Sequence, residues 1–374
     1  MEFWKGTVEG MVTSKDFWKD KKVLISGHTG FKGSWLSLWL QKMGSVVTGY
    51  SLPAPTIPNM FETAKVSSGM TSHSGDIRDL DHLTRVMSEC QPEIIIHMAA
   101  QSLVLFSYEN PVDTYATNVM GTVNILEAAR RVRSAKVIIV VTSDKCYQNK
   151  EWFWSYREYD PMGGHDPYSS SKGCAELITS AYRNSYFPEK SYDDHGVAIG
   201  SVRAGNVIGG GDWSKDRLIP DIMRALMQKR PVIIRNPDSV RPWQYVLEPL
   251  NGYLCLAERL WENGPEFSGA WNFGPKDDDS KPVAWIVEAL TKQWGDDSTW
   301  ELDILTHQHE SHQLKLDSSK ARTLLDWSTR IPLSKTLMLI VDWYQAYQQK
   351  EDMRKITENE IECFEKASHA GNGL

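Results

Sequence analysis

Val23-Leu-Ile-Ser-Gly27-His-Thr-Gly30-Phe-Lys-Gly33-Ser-Trp35 decides the fold. An apolar run, read as strand Val23–Gly27, leads straight into three glycines, and Phe31–Met43 has the pattern of a helix. Glycines at this point allow a tight turn, close backbone approach to a pyrophosphate and close helix–strand packing. The helix N-terminus adds unpaired N–H groups and a favourable dipole for an anion. Gly27, Thr29, Gly30, Phe31, Lys32 and Gly33 are therefore candidate cofactor contacts, although the spacing is G-x-x-G-x-x-G rather than G-x-G-x-x-G.

Outward from this loop, β-branched apolar runs alternate with helical patterns. Strands are expected at Ser45–Leu52, at a short segment ending His73–Asp76, and at Glu93–Ala100, Lys136–Thr142 and Val197–Val202. Helices are expected at Asp79–Cys90, Tyr115–Val132 and Tyr168–Tyr186. Such alternation predicts parallel βαβ units, hence an α/β, Rossmann-type doubly wound sheet. After Arg203 the texture changes, with the loop Gly209-Gly-Gly-Asp-Trp213, helices at Leu218–Lys229, Pro249–Trp261, Pro282–Trp294 and Leu333–Gln349, and short strands such as Pro231–Arg235. The expected organisation is a dinucleotide-binding domain over 13–205, with segments such as 240–262 packing on it. A smaller mixed α/β substrate lobe over 206–350 and a polar tail over 351–374 follow. Residues 1–10 are set aside.

Composition is that of a globular protein: 374 residues, 41% hydrophobic and 24% charged. A net charge of −7 gives no electrostatic footprint for nucleic acid or an anionic membrane, so an anionic substrate needs locally placed Arg or Lys. Five scattered cysteines without metal or redox spacing fit a reducing cytoplasm. No apolar run approaches the ~20 residues of a membrane span, and a soluble protein is expected. His307, His309 and His312 lack a metal-ligand pattern, so no metal is expected.

The strand Lys136–Thr142 ends in Ser143, Asp144 and Lys145, and carboxyl ends of parallel strands are where ligands bind. Tyr168 and Lys172 are four apart and share a helix face. A Tyr with its ordinary pKa near 10 is a poor base, but a nearby ammonium and a cationic nicotinamide would favour the phenolate. Tyr168 would then take a proton from a substrate hydroxyl while hydride leaves for NAD, with Ser143 orienting that hydroxyl. The second strand ends Gly49-Tyr-Ser51-Leu52, with no charge to specify NAD or NADP. Ser51 is a candidate ribose contact. Asp76 and Ile77 face an adenine, or Asp76 caps a helix.

The glycines together with Tyr168 and Lys172 resemble the extended short-chain dehydrogenase/reductases that act on nucleotide sugars. Gly27–Trp35, Thr142-Ser-Asp-Lys-Cys-Tyr147 and Asp166-Pro-Tyr-Ser-Ser-Ser-Lys172 are similar to the 4,6-dehydratases of the CDP-glucose type. Arg203–Trp213, Val240-Arg-Pro-Trp-Gln-Tyr245 and Leu314-Lys-Leu-Asp317 extend the likeness. The resemblance implies NAD as cofactor and CDP-glucose as substrate. C4 is oxidised, water is lost across C5 and C6, and hydride returns to C6. Asp144 is then the acid at the C6 hydroxyl and Lys145, which stands where the dTDP-sugar relatives carry Glu, the base at C5 or a stabiliser of the enolate. As a base, Lys145 would need burial or a neighbouring cation to lose its proton.

By the same resemblance Asn206 and Arg241 approach the substrate diphosphate and Arg217 covers the nucleotide. Ala99, Ala100, Gln101, Asn118 and Thr142 are cofactor-side contacts, and Ser102 lies between cofactor and sugar. A homodimer or tetramer through the helices Tyr115–Val132 and Tyr168–Tyr186 is implied. A 4-epimerase needs Tyr168 and Lys172 but not Asp144 and Lys145, and a redox-sensing binding protein has no need for Ser143, Tyr168 and Lys172 together.

Overall fold

The computed structural model describes residues 13–295, 299–303 and 314–367. Seven parallel strands make one sheet: β1 (Lys22–Ser26), β2 (Val46–Ser51), β3 (Thr71–Ser74), β4 (Ile94–His97), β5 (Val137–Val141), β6 (Ala198–Arg203) and β7 (Gly269–Asn272). Their order is β7-β6-β5-β4-β1-β2-β3. β1 to β3 are added towards one edge of the sheet and β4 to β7 towards the other, so the order reverses between β1 and β4 and opens a crevice at their carboxyl ends.

Period-two alternation splits the central strands between two helical layers. Val23 and Ile25 of β1, Ile94 and Ile96 of β4, and Val137 and Ile139 of β5 pack with Trp35, Leu38 and Trp39 of α1 (Phe31–Lys42). Leu24, Ile95, Ile138 and Val140 face the other way, against α2 (Leu80–Cys90) and α3 (Gly121–Val132). Buried on both faces, β4 and β5 read as unbroken apolar runs, whereas the edge strand β3 is polar. α4 (Pro167–Ser185) starts on Pro167 with Asp166 as its N-cap.

The rest of the chain adds α5 (Leu218–Met227), α6 (Leu247–Asn263), α7 (Val283–Trp294), α8 (Leu333–Gln348) and α9 (Met353–Ala367). Short strand pairs join Val232–Ile234 to Trp300–Leu302 and Val240–Pro242 to Ser280–Pro282. Ile222, Val232, Ile286 and Leu290 of this region join the same apolar cluster as the sheet's Val23 and Ile96. α6 packs on β5 and β6, and β7 completes the sheet beyond β6.

Two expectations need correction. Residues 351–367 are not a polar tail, because Met353, Ile361 and Phe364 bury one face of α9. Phe364 meets Trp39 edge-on at 5.6 Å, and Trp39 Nε1 donates to Glu365 at 2.8 Å. The apolar spacing 353, 361, 364 was present in the sequence but diluted by charges. The helix expected at Tyr115–Val132 is also interrupted, since Ala116–Met120 forms a π-helical turn between Pro111–Tyr115 and α3. His307, His309 and His312, and residues 1–10, lie outside the described residues.

Candidate active site

Backbone crowding selects two of the loop glycines. Gly27 has φ +79°, and a Cβ on it would lie 2.6 Å from the Ala99 nitrogen. A Cβ on Gly33 would lie 2.2 Å from the Gly27 carbonyl oxygen, so α1 seats directly on the turn. Gly30 is the N-cap of α1 and offers no side-chain cap, which leaves first-turn N–H groups for an outside acceptor. A Cβ there would meet the Gly27 oxygen at 3.4 Å, so the space over Gly30 is an open cradle. Lys32 is pushed down to about 7 by burial and by the cations Lys172 and Arg217, with Asp144 opposing. That convergence of positive charge fits a diphosphate.

Other expected cofactor contacts divide into two groups. Thr29 Oγ1 donates to the Leu52 carbonyl at 2.9 Å and lies 2.9 Å from Ser51 Oγ, so these hydroxyls tie the first turn to the end of β2. Ile77 packs under Gly121, while the Asp76 carboxylate is engaged by Arg78 at 2.6 Å and held below the usual carboxylate range by that partner. Asp79, not Asp76, caps α2. Asn118 is buried and its amide is fully used. Oδ1 accepts from Gln101 N at 2.9 Å, and Nδ2 donates to the Gln101 carbonyl at 2.9 Å and Ser171 Oγ at 2.8 Å. The π-helical turn thus delivers Asn118 as a clamp on the Ala99-Ala100-Gln101 segment rather than as a free contact.

Ser143, Asp144, Lys145 and Tyr168 line one cavity of about 410 Å³. Ser143 Oγ donates to Asp144 Oδ1 at 2.9 Å. Burial pushes the Asp144 carboxyl up, against Lys145 and the Ser143 hydrogen bond. Gly205 floors it so closely that a Cβ there would lie 2.0 Å from Asp144 Oδ2. Burial pushes Tyr168 up to about 12, against the Ser143 bond. The expected lowering is therefore not produced by the chain's own groups, because desolvation outweighs the nearby dipoles and cations. Lys172 lies behind the cavity wall, lowered to about 8 by burial with Glu176 opposing, and its Nζ donates to the Val141 carbonyl at 3.4 Å. Lys145 is exposed at the wall, so the burial expected of a lysine base is missing in the open cavity.

Ser102, Asn206, Arg217 and Arg241 all line this cavity. Arg217 donates to Ser102 Oγ at 2.9 Å and pairs with Asp212 at 3.2 Å, bridging the two sides. Asn206 takes φ +43° at the strand end after Gly205. Gly27, Asp76, Ala99 to Gln101 and Asn118 are off the cavity wall, on the β1 side of the crevice. Sequence reasoning missed Gly205, Glu176 and the apolar wall of Ile219, Ile234, Trp243 and Val283. Glu176 was detectable, since it continues the four-residue spacing of Tyr168 and Lys172.

A family model described as GDP-mannose 4,6 dehydratase matches residues 24–259. A CDP-glucose 4,6-dehydratase of Salmonella typhimurium is 56% identical over 354 residues, covering 95% of this chain and 99% of that protein. A dTDP-glucose 4,6-dehydratase of Xanthomonas campestris is 24% identical, covering 87% of this chain and 93% of its own. Among solved structures, a Bacillus anthracis dTDP-glucose 4,6-dehydratase in complex with NAD matches at TM-score 0.71 and 20% identity, over 88% of this chain and 98% of that one. A Thermotoga maritima UDP-glucose 4-epimerase with UDP-glucose matches at TM-score 0.75 and 19% identity, over 87% and 99%. At those identities the structural likeness speaks for the fold.

Proposed function

Since this chain belongs to the GDP-mannose 4,6 dehydratase family, we propose that it is an NAD-dependent lyase. Its reaction turns CDP-glucose into the 4-keto-6-deoxy sugar nucleotide and water. The observation that carries the reading is the meeting of Asp144, Lys145 and Tyr168 on one cavity wall, in a chain 56% identical to a CDP-glucose 4,6-dehydratase. An epimerase has no use for the acid at Asp144.

Gly27, Gly30 and Gly33 would hold NAD, which would supply a hydride acceptor for C4 and a hydride donor for C6. Tyr168 takes the C4 hydroxyl proton, and Ser143 orients that hydroxyl. The positive charge of bound NAD would favour the Tyr168 phenolate, which Lys172 alone does not. The new C4 ketone acidifies C5, whose proton we assign to Lys145. The bound sugar covers that amine and strips the water that surrounds it in the open cavity. Asp144, whose burial favours the protonated form, gives its proton to the departing C6 hydroxyl, which leaves as water. Lys145 returns its proton to C5 as hydride arrives at C6. The proton gained by Tyr168 then makes good the one lost by Asp144.

Arg241, Arg217 and Asn206 are assigned to the substrate diphosphate, as the cationic wall an acidic protein requires. Met120, Leu177 and Tyr186 leave an exposed apolar strip on the helices after β4 and on α4, and we assign it to a homodimer contact. No described helix is long and apolar enough to cross a membrane, and we assign the chain to the cytoplasm.

The test is incubation with CDP-glucose, NAD and deuterated water, followed by proton NMR. A new C6 methyl group with deuterium at C5 supports the reading. Accumulation of the C4 epimer, or faster turnover of dTDP-, UDP- or GDP-sugars, refutes it.

A further inference from the structure

Behind the catalytic wall lies a buried ion pair to which the steps above give no task. Glu176 stands on α4 one turn beyond Lys172 and two beyond Tyr168. Glu176 and Arg203 are 5% and 3% exposed. The carboxylate accepts from Arg203 at 2.9 and 2.8 Å, from Ser201 Oγ at 2.7 Å and from Thr142 Oγ1 at 2.5 Å. Arg203 also donates to the Tyr147 hydroxyl at 2.6 Å and to the Glu158 carbonyl at 3.0 Å. Tyr147 in turn donates to Asn272 Oδ1 on β7 at 2.8 Å.

Thr142 immediately precedes Ser143-Asp144-Lys145, and Tyr147 follows it by two residues. The triplet is therefore suspended between two attachments to one ion pair. A two-pronged guanidinium–carboxylate pair has a single favourable geometry, so it makes a stiff anchor. The groups that face Lys172 are Glu176 on its own helix, Cys146 after β5, His97 at the end of β4 and Lys32 on α1. Burial keeps the Cys146 thiol far above its ordinary value and His97 down at about 3, so both are neutral near pH 7. Glu176 is the one carboxylate in this set.

We propose that Glu176 is a positioning residue for both halves of the reaction. Through Thr142 and Arg203 it fixes the Ser143–Lys145 turn against Tyr168, and it supplies the counter-charge to the Lys172 ammonium. This inference rests on the dehydratase reading given above.

Its test compares the full-length wild type with Glu176→Gln and with Glu176→Gln/Arg203→Met, with NAD present, from about pH 6 to about pH 9. Two quantities are followed: NAD reduction on C4 oxidation, and release of the deoxy sugar. Removing the counter-charge makes Lys172 lose its proton more easily, so the basic limb of C4 oxidation moves to lower pH by about one unit. Loosening the turn slows elimination by about tenfold beyond any loss in C4 oxidation. If the single variant, with Arg203 left unpaired, fails to fold, the double variant carries both readouts because it leaves no unpaired guanidinium buried. Thr142→Val keeps the ion pair and is expected to slow elimination without moving the limb. Folded variants with an unmoved basic limb and wild-type elimination overturn the role of Glu176. A wild type that leaves CDP-glucose unchanged overturns the dehydratase reading instead.

Discussion

Gly205→Ala separates elimination from hydride transfer without replacing a reacting group. The glycine is not in the left-handed region, so alanine is not strained by its backbone. The added Cβ would stand 2.0 Å from Asp144 Oδ2 and 2.5 Å from its Cγ, where ordinary contact begins at 3.4 Å. The carboxylate must retreat by about 1.4 Å, and turning about χ2 alone does not relieve the contact at Cγ. A misplacement of about 1 Å at a reacting group costs about 10²-fold, or about 3 kcal/mol. The three atoms nearest to this methyl all belong to Asp144. NAD reduction at C4 should therefore continue while the 4-keto sugar accumulates unreduced at C6. Rapid-quench sampling with absorbance for reduced cofactor measures both steps in one experiment. Wild-type release of the 6-deoxy product by Gly205→Ala would refute the acid role of Asp144.

Lys145→Met should also oxidise C4, and should lose deuterium incorporation at C5 by about 10²-fold or more; normal exchange would remove Lys145 from the proton transfer. Gly33→Ala, with its Cβ 2.2 Å from the Gly27 oxygen, should displace α1 from the turn and abolish NAD binding in calorimetry while the chain stays folded. His97 is buried against Ser26 at 2.7 Å and lowered by burial from 6.5 to about 3. Its folded value lies below the unfolded one, so the stability it contributes is present above pH 6.5 and lost as pH falls towards 3. Urea titrations should show wild-type stability falling across that window, by an amount on the order of a few kcal/mol from this group. His97→Gln should flatten the fall, and an equal slope in both proteins would count against a buried neutral imidazole.

Local pattern carried much of the architecture. β4 and β5 are legible because strands buried on both faces must be apolar throughout, and the glycine loop is legible because only glycine lets α1 sit on the turn. α9 was hidden because its three buried apolar side chains sit among charged neighbours, and its partner Trp39 is more than 300 residues away in sequence. The π-helical turn at Ala116–Met120 was equally hidden, since the register of Asn118 is set by Gln101 and Ser171 and not by residues beside it.

The sequence by itself determined the chemistry on offer: a phosphate loop, then a hydroxyl, a carboxyl and an amine at one strand end, then Tyr168 and Lys172 on one helix face. Periodicity and covalent spacing act over a few residues, so they suffice for that much. The tertiary structure alone decided that Asp144 is buried over Gly205, that Lys145 is exposed, and that Tyr168 is pushed up rather than down. Desolvation and charge act through space, and the groups that set them here, from Lys32 on α1 to Gly205 after β6 and Arg217 before α5, meet only when the sheet brings their strand ends together.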